Sequence, residues 1–298
     1  MRHLALLLAL LLAPSFLSPS HAHADPALFV ARAPGLTAYI LGSVHALKPG
    51  TEWRTPEIGT ALDAASECWF ETILPDDPGA AMSLILPGLD SERHLPALLG
   101  PVDHALLEQR AKTLAMPGGV GFIDMMHPWL AYITLAALEI KAAGLDENSG
   151  VDKTLQLEAT AAHKPVFGFE TPEQQVGFFS AQPEPMMVRL LHDQLRASKE
   201  TRRLLDRMVP AWLAGDLPTV AHQMNAATDA LGPEFTRILL TGRNQAWADR
   251  LDGMRGSGKT IFVTVGAGHL AGPGNLRDEL GRRHFTVTRV PKHKDPTP

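Results

Sequence analysis

The sequence predicts an α/β protein: a central, mostly parallel or mixed sheet flanked by helices, with a helical cap inserted into it. Three observations point there. Short β-branched and aromatic runs alternate with segments of helical spacing, the pattern of strands covered by helices on both faces. A block from about 80 to 145 has helical spacing and Pro-Gly punctuation but no strand-like run. Four strand-like runs lead into an ionisable residue, at His45, Glu71, Glu170 and His269, as in sheets that gather a site beyond their carboxyl edge. The order His, Glu, Glu, His further suggests two pseudo-repeated halves.

Residues 1–24 read as a secretory signal peptide. Arg2 and His3 precede the apolar run from Leu4 to Ala13, and Ala22-His23-Ala24 supplies a small-residue cleavage site before Asp25. The apolar run is shorter than the roughly 20 residues that cross a bilayer. The mature chain, 25–298, is therefore expected to be periplasmic or secreted, without an integral membrane segment, and to form one domain. Leu28 to Arg32 and Ala38 to Leu41 flank Pro34-Gly35, so the mature chain opens with a hairpin. Pro56 starts an amphipathic helix to about Ala65, and Glu67 to Thr72 is a buried strand holding Cys68, a buried and inert thiol. Leu106, Leu107 and Leu114, then Leu130, Ile133 and Leu138, give the insertion its helical period. Asp152 is placed to cap a helix through Ala162. Val166 to Phe169 is a strand, Pro172 opens the next helix, and further helices run to about Leu251. Thr260 to Val265 is a strand, Gly266 to His269 a tight turn, Leu276 to about Gly281 a helix and Phe285 to Val290 a last strand.

Composition narrows the function. A chain of 298 residues, 45% hydrophobic and with one cysteine, can bury a large core without disulfide or metal staples. A formal net charge of -5 with scattered Lys and Arg argues against a nucleic-acid partner. Gly253 to Thr260 matches the phosphate-loop pattern G-x-x-x-x-G-K-T, but a helix precedes it and a strand follows, the reverse of the context in which helix amides face a phosphate. What remains are the strand ends. Gly42 and Gly266 let the chain leave its strands through conformations that a side chain opposes, and let backbone approach a bound group. Two imidazoles with one or two carboxylates suit a divalent metal such as zinc, cobalt or manganese. Water on such a metal ionises near neutral pH and attacks an ester or amide carbonyl.

The residues Gly42-Ser43-Val44-His45, Glu71 after its strand, Gly150-Val151-Asp152 before a helix, Lys164-Pro165-Val166 through Glu170-Thr171 and Gln174, Arg243-Asn244, and Val265-Gly266-Ala267-Gly268-His269-Leu270 occur in that order. Together they resemble the TraB/GumN family, related to the Tiki and pheromone-shutdown proteins, over nearly the whole mature chain. The resemblance implies a fold like that of erythromycin esterase and the haem-binding ChaN proteins and, by similarity to Tiki, a metal-dependent peptidase with two Gly-x-x-His motifs. His45 and His269 match the motif histidines, Glu71 the acidic residue after the early strand, and Arg243 a basic residue on the late helix. The expectation is an exported metal-dependent hydrolase acting on a peptide or small-molecule substrate. His45, His269 and Glu71 hold the metal, Glu170 is a further ligand or general base, and Arg243 stabilises the oxyanion or grips a substrate carboxylate. Two other readings stand beside it. One is a protein that binds haem or another small ligand in the same crevice; the other is a metal-free esterase in which His45 or His269 activates water directly.

Overall fold

A computed structural model describes residues 24–73, 77–92, 94–229 and 232–292. The signal peptide expected over 1–24 lies, but for Ala24, outside the described residues. The strands are β1 (Leu28–Ala33), β2 (Leu36–Ser43), β3 (Glu67–Phe70), β4 (Val166–Gly168), β5 (Lys259–Gly266) and β6 (Thr286–Arg289). They form one mixed sheet in the order β4-β3-β5-β2-β1-β6. The hairpin turn at Pro34-Gly35 makes β1 and β2 antiparallel, with Gly35 at φ 68°, where a side chain is strained. β6 is antiparallel to β1, whereas β4, β3, β5 and β2 are mutually parallel.

Register decides where the site lies. Ser43 pairs with Gly266, and Phe70 pairs with both Gly168 and Thr264, so all four parallel strands finish at one edge of the sheet. β3 stops at Phe70, which leaves Glu71 and Thr72 just beyond it rather than inside the strand, and His269 sits in a short 3₁₀ turn, Ala267–Leu270. The likeness between motifs does not extend to a repeated element order. β2 is followed by a helix and a parallel strand, while β5 is followed by a helix and the edge strand β6, which pairs with β1 alone.

Helices cover both faces. In chain order they are α1 (Pro56–Ala64), α2 (Pro78–Ile85), α3 (Leu95–Thr113), α4 (Gly119–Ile123), α5 (Pro128–Ala142), α6 (Val151–Ala161), α7 (Pro172–Ser180), α8 (Glu184–Arg196), α9 (Ser198–Leu213), α10 (Leu217–Asp229), α11 (Pro233–Thr236), α12 (Gly242–Asp252) and α13 (Leu276–Arg282). Alternation along the strands sorts the side chains by face. Cys68, Phe70 and Phe262 pack with Ile58 and Leu62 of α1, Leu155 of α6 and Trp212 of α9. Trp69, Ile261 and Val263 pack on the other face with Trp247 and Leu251 of α12 and Leu276 and Leu280 of α13. Burial pushes the Cys68 thiol up to about 11, which keeps it protonated.

The helical insertion has a core of its own, but not from its own residues alone. Leu107, Ile123, Leu130 and Leu135 are completed by Leu190 and Leu191 of α8 and by Phe235 of α11. The cap is therefore assembled from three stretches of chain, and α7 packs on its helices α2 and α5. The phosphate-loop look-alike is the turn from α12 into β5. Its Gly256 and Gly258 amides donate to the Pro34 and Gly35 carbonyls, and Lys259 Nζ donates to Glu67 Oε2 at 2.6 Å.

Candidate functional site

The first imidazole is positioned by two elements. β2 delivers the chain to Ser43, and the start of α6 docks against the loop that follows: Val151 N–H donates to the Val44 carbonyl, 3.0 Å. The approach requires glycine at 150, because a Cβ there would overlap the His45 carbonyl. Asp152 does not cap α6 as its position in the sequence suggests. Gly150 occupies the cap, and Asp152 stands in the first turn. There its Oδ1 accepts the Ser43 hydroxyl, 2.7 Å, and its Oδ2 accepts His45 Nδ1, 2.8 Å. The Asp152 carboxylate raises the His45 pKa from 6.5 to about 9, although the ring is well exposed. Asp152→Asn is expected to bring that value back toward 6.5, a change that NMR titration of the His45 ring protons reads directly.

The second cluster is buried. Glu71 Oε1, just beyond β3, accepts the amide of Gly266, the last residue of β5, at 2.6 Å. Glu71 Oε2 accepts Arg243 Nη2 at 2.5 Å. Arg243 comes from the start of α12, directly after a π-helical turn, Arg237–Thr241, of the kind that recurs at functional positions. Its Nε and Nη2 also grip Glu170 at 2.7 and 2.8 Å, and its Nη1 donates to the Leu239 carbonyl at 3.1 Å and to His269 Nε2 at 3.2 Å. All five guanidinium N–H groups thus have acceptors inside the protein. Phe178 and Trp247 lie against the guanidinium, with centroids 5.0 and 4.7 Å away.

The His269 tautomer follows from its partners. Asn244 uses its amide nitrogen on the Gly274 carbonyl, 2.8 Å, so its oxygen accepts from His269 Nδ1, 2.7 Å. Nε2 then keeps its lone pair, as the Arg243 donor on it also demands. Burial lowers the His269 pKa to about 3, so the ring is neutral. Burial opposes ionisation of Glu71, but His269, Arg243 and His45 and the Gly266 amide outweigh it and lower its pKa to about 2. With His269 neutral, Arg243 and the protonated His45 are the cations beside this carboxylate.

The two clusters meet over Gly266. A Cβ on this residue would stand 3.1 Å from Glu71 Oε1, 3.6 Å from His45 Nε2 and 3.7 Å from a carbon of the His269 ring. Neither Gly42 nor Gly266 has positive φ, so they do not supply the unusual exit from the strand expected of them. They supply room: a Cβ on Gly42 would press on Ala267 and Leu270. His45, Glu71, Glu170 and His269 all lie at this one edge, as their places after strands suggested, and Arg243 of α12 lies among them. Sequence reasoning did not assign Gln175, which donates to Glu170 Oε2 and Glu71 Oε2, or Trp247, which donates to Glu170 Oε1 at 3.0 Å. Trp247 carried a signal, since it lies one helical turn after Arg243; Gln175 carried none. As the atoms stand, no group of three or more His, Cys, Asp or Glu among the described residues is placed to hold a metal ion.

YbaP of Escherichia coli (strain K12), an uncharacterized protein, is 33% identical over 154 residues, 51% of this chain and 55% of its own length. YbaP of Shigella flexneri gives the same figures. This chain therefore spans about half the length of the curated relatives it matches first. An uncharacterized protein of Treponema pallidum (strain Nichols) is 21% identical over 286 residues, 91% of this chain and 84% of its own. No solved structure matches the chain at a significant level. The model of the TraB/PrgY/gumN family matches residues 27–289, and the chain belongs to that family.

Proposed function

We propose that this protein is an exported hydrolase of amide bonds, with a peptide as substrate and a divalent metal held by His45, His269 and Glu71. One observation carries the reading: two imidazoles and a buried carboxylate, delivered by three different strands, converge on the bare face of Gly266. The donor set fits a metal in kind. Each imidazole has its Nδ1 tied to an oxygen acceptor, Asp152 or Asn244, which directs Nε2 to the centre, and such outer partners are typical of metal-ligating histidines. A bound metal would supply ionised water and polarise the scissile carbonyl. Its arrival requires Arg243 to release His269 Nε2.

The roles of the protein groups follow from their bonds. Glu170 lies beside the centre with both oxygens on Arg243 and serves as general base once the guanidinium shifts. With all its donors engaged, Arg243 is better suited to holding the two carboxylates apart than to gripping an oxyanion. Export rests on the apolar leader from Leu4 to Ala13. Among the described residues no helix is long and apolar enough to cross a membrane.

The contact between Arg243 and His269 favours a second reading, a metal-free hydrolase in which His269 Nε2 activates water. Haem has less support, because it needs a wide apolar pocket and charged groups crowd His269. Elemental analysis and peptide hydrolysis, measured together on the wild type and on His45→Ala, His269→Ala and Glu71→Ala, separate the readings. The metal reading expects each variant to lose bound metal and about 100-fold or more in rate. Metal content unchanged in all three ends it, and full activity after exhaustive chelation selects the metal-free reading.

A further inference from the structure

A cleft of about 470 Å3 lies at the other end of the sheet, at the amino ends of β3 and β5 and beside the last turn of α12. Its volume falls in the range of roughly 300–1,000 Å3 typical of small-molecule sites. Trp69, Phe167, Arg250, Lys259, Glu67 and Asp249 are among the residues that line it. None of these residues belongs to the cluster around Gly266.

The charges of the lining are almost all spent. Glu67 accepts Trp69 Nε1 at 2.9 Å on one oxygen and Lys259 Nζ at 2.6 Å on the other. Asp249 is held by Arg283 at 2.8 Å. That leaves Arg250, an exposed residue with its guanidinium 5.4 Å from the centre of the Trp69 ring and with no carboxylate partner among the described residues. Phe167, on the edge strand β4, stacks on Trp69 at 4.9 Å and 29°, yet 41% of it remains exposed. An exposed phenyl ring backed by a tryptophan is a rigid apolar platform. Beside it stands one unneutralised planar cation, which is suited to bind a carboxylate through two parallel hydrogen bonds.

We propose that this cleft binds a small aromatic carboxylate, its ring against Phe167 and its carboxylate on Arg250. A cationic ligand would meet Arg250 unscreened. A polyphosphate would need more than this one cation, because Lys259, the lysine of the phosphate-loop look-alike, is committed to Glu67.

The test is isothermal titration calorimetry on the mature chain with 3-phenylpropionate, beside its neutral analogue 3-phenylpropionamide. One saturable site is expected for the acid, with binding at least about tenfold weaker for the amide and in Arg250→Gln and Phe167→Ala. Both side chains are exposed, and circular dichroism checks the fold of each variant. If Phe167→Ala melts early, Phe167→Leu keeps the apolar volume while removing the ring, and the same weakening is expected. His45→Ala is expected to bind the acid like the wild type, since the Gly266 cluster is elsewhere. Absence of a saturable site, binding indifferent to the Arg250 and Phe167 substitutions, or binding abolished by His45→Ala each overturns the proposal.

Discussion

Arg243→Met is expected to destabilise the protein by about 3–5 kcal/mol, the usual cost of removing one partner from a buried ionic cluster. The side chains of Arg243, Glu71 and Glu170 are each about one-tenth exposed, and the guanidinium is the cation both carboxylates share. Without it, two negative charges face each other out of water, and the Leu239 carbonyl and His269 Nε2 lose a donor. Methionine keeps much of the apolar contact with Phe178 and Trp247, so the loss is mainly electrostatic. Glu71→Gln with Glu170→Gln, added to Arg243→Met, removes the orphaned charges and is expected to recover part of the loss. Urea denaturation of the three proteins, wild type included, checks this; a loss below about 1 kcal/mol in Arg243→Met alone would contradict the ion network as the element that holds this edge together.

Stability is expected to fall as the solution is acidified below neutrality, and His269 starts the fall. In the unfolded chain it binds a proton near its ordinary value of 6.5, whereas in the fold it stays neutral until about 3. Between those values the unfolded state holds the extra proton, so each step down in pH favours unfolding. From pH 6.5 to 5 this group alone costs on the order of 2 kcal/mol. Glu71 adds to the loss between its ordinary value of 4.5 and about 2, because the native carboxylate resists protonation that the unfolded chain accepts. His45 acts in the opposite sense. Its raised value stabilises the fold below 6.5 and loses that contribution as pH rises toward about 9, and its exposure keeps the contribution small. Urea midpoints between pH 8 and 4 should therefore peak near neutrality. His269→Gln should flatten the limb between 6.5 and 5; an equally steep limb in this variant would assign the acid sensitivity elsewhere.

Much of the site was legible because its residues obey a local rule. A strand that runs out of apolar residues and ends in glycine and histidine, or in phenylalanine and glutamate, announces its carboxyl end, and parallel pairing brings such ends to one edge. Asp152 shows where local rules stop. Near the start of a helix, aspartate commonly caps, yet here a long-range partner, His45, outcompetes that local use, and Gly150 takes the cap. Of the two reasons offered for the glycines of the Gly-x-x-His motifs, the unusual backbone conformation fails, since it is ordinary at both, and what matters is the crowding that only the folded sheet creates. Gln175 was invisible because its reach to Glu71 depends on where the cap sets α7. The cap itself was half legible. Helical period marks 80 to 145, but nothing local says that Leu190 and Phe235 complete its core.

The middle of the sheet is the last parallel strand to be made. β5 has to wedge between β2 and β3, which touch only through it, and it also brings in the second imidazole. A chain still emerging from the ribosome, and stopped short of residue 259, lacks both the strand that joins β2 to β3 and His269. Closure of the sheet and assembly of the cluster around Gly266 thus both wait on this one strand, whose partners lie far away in sequence.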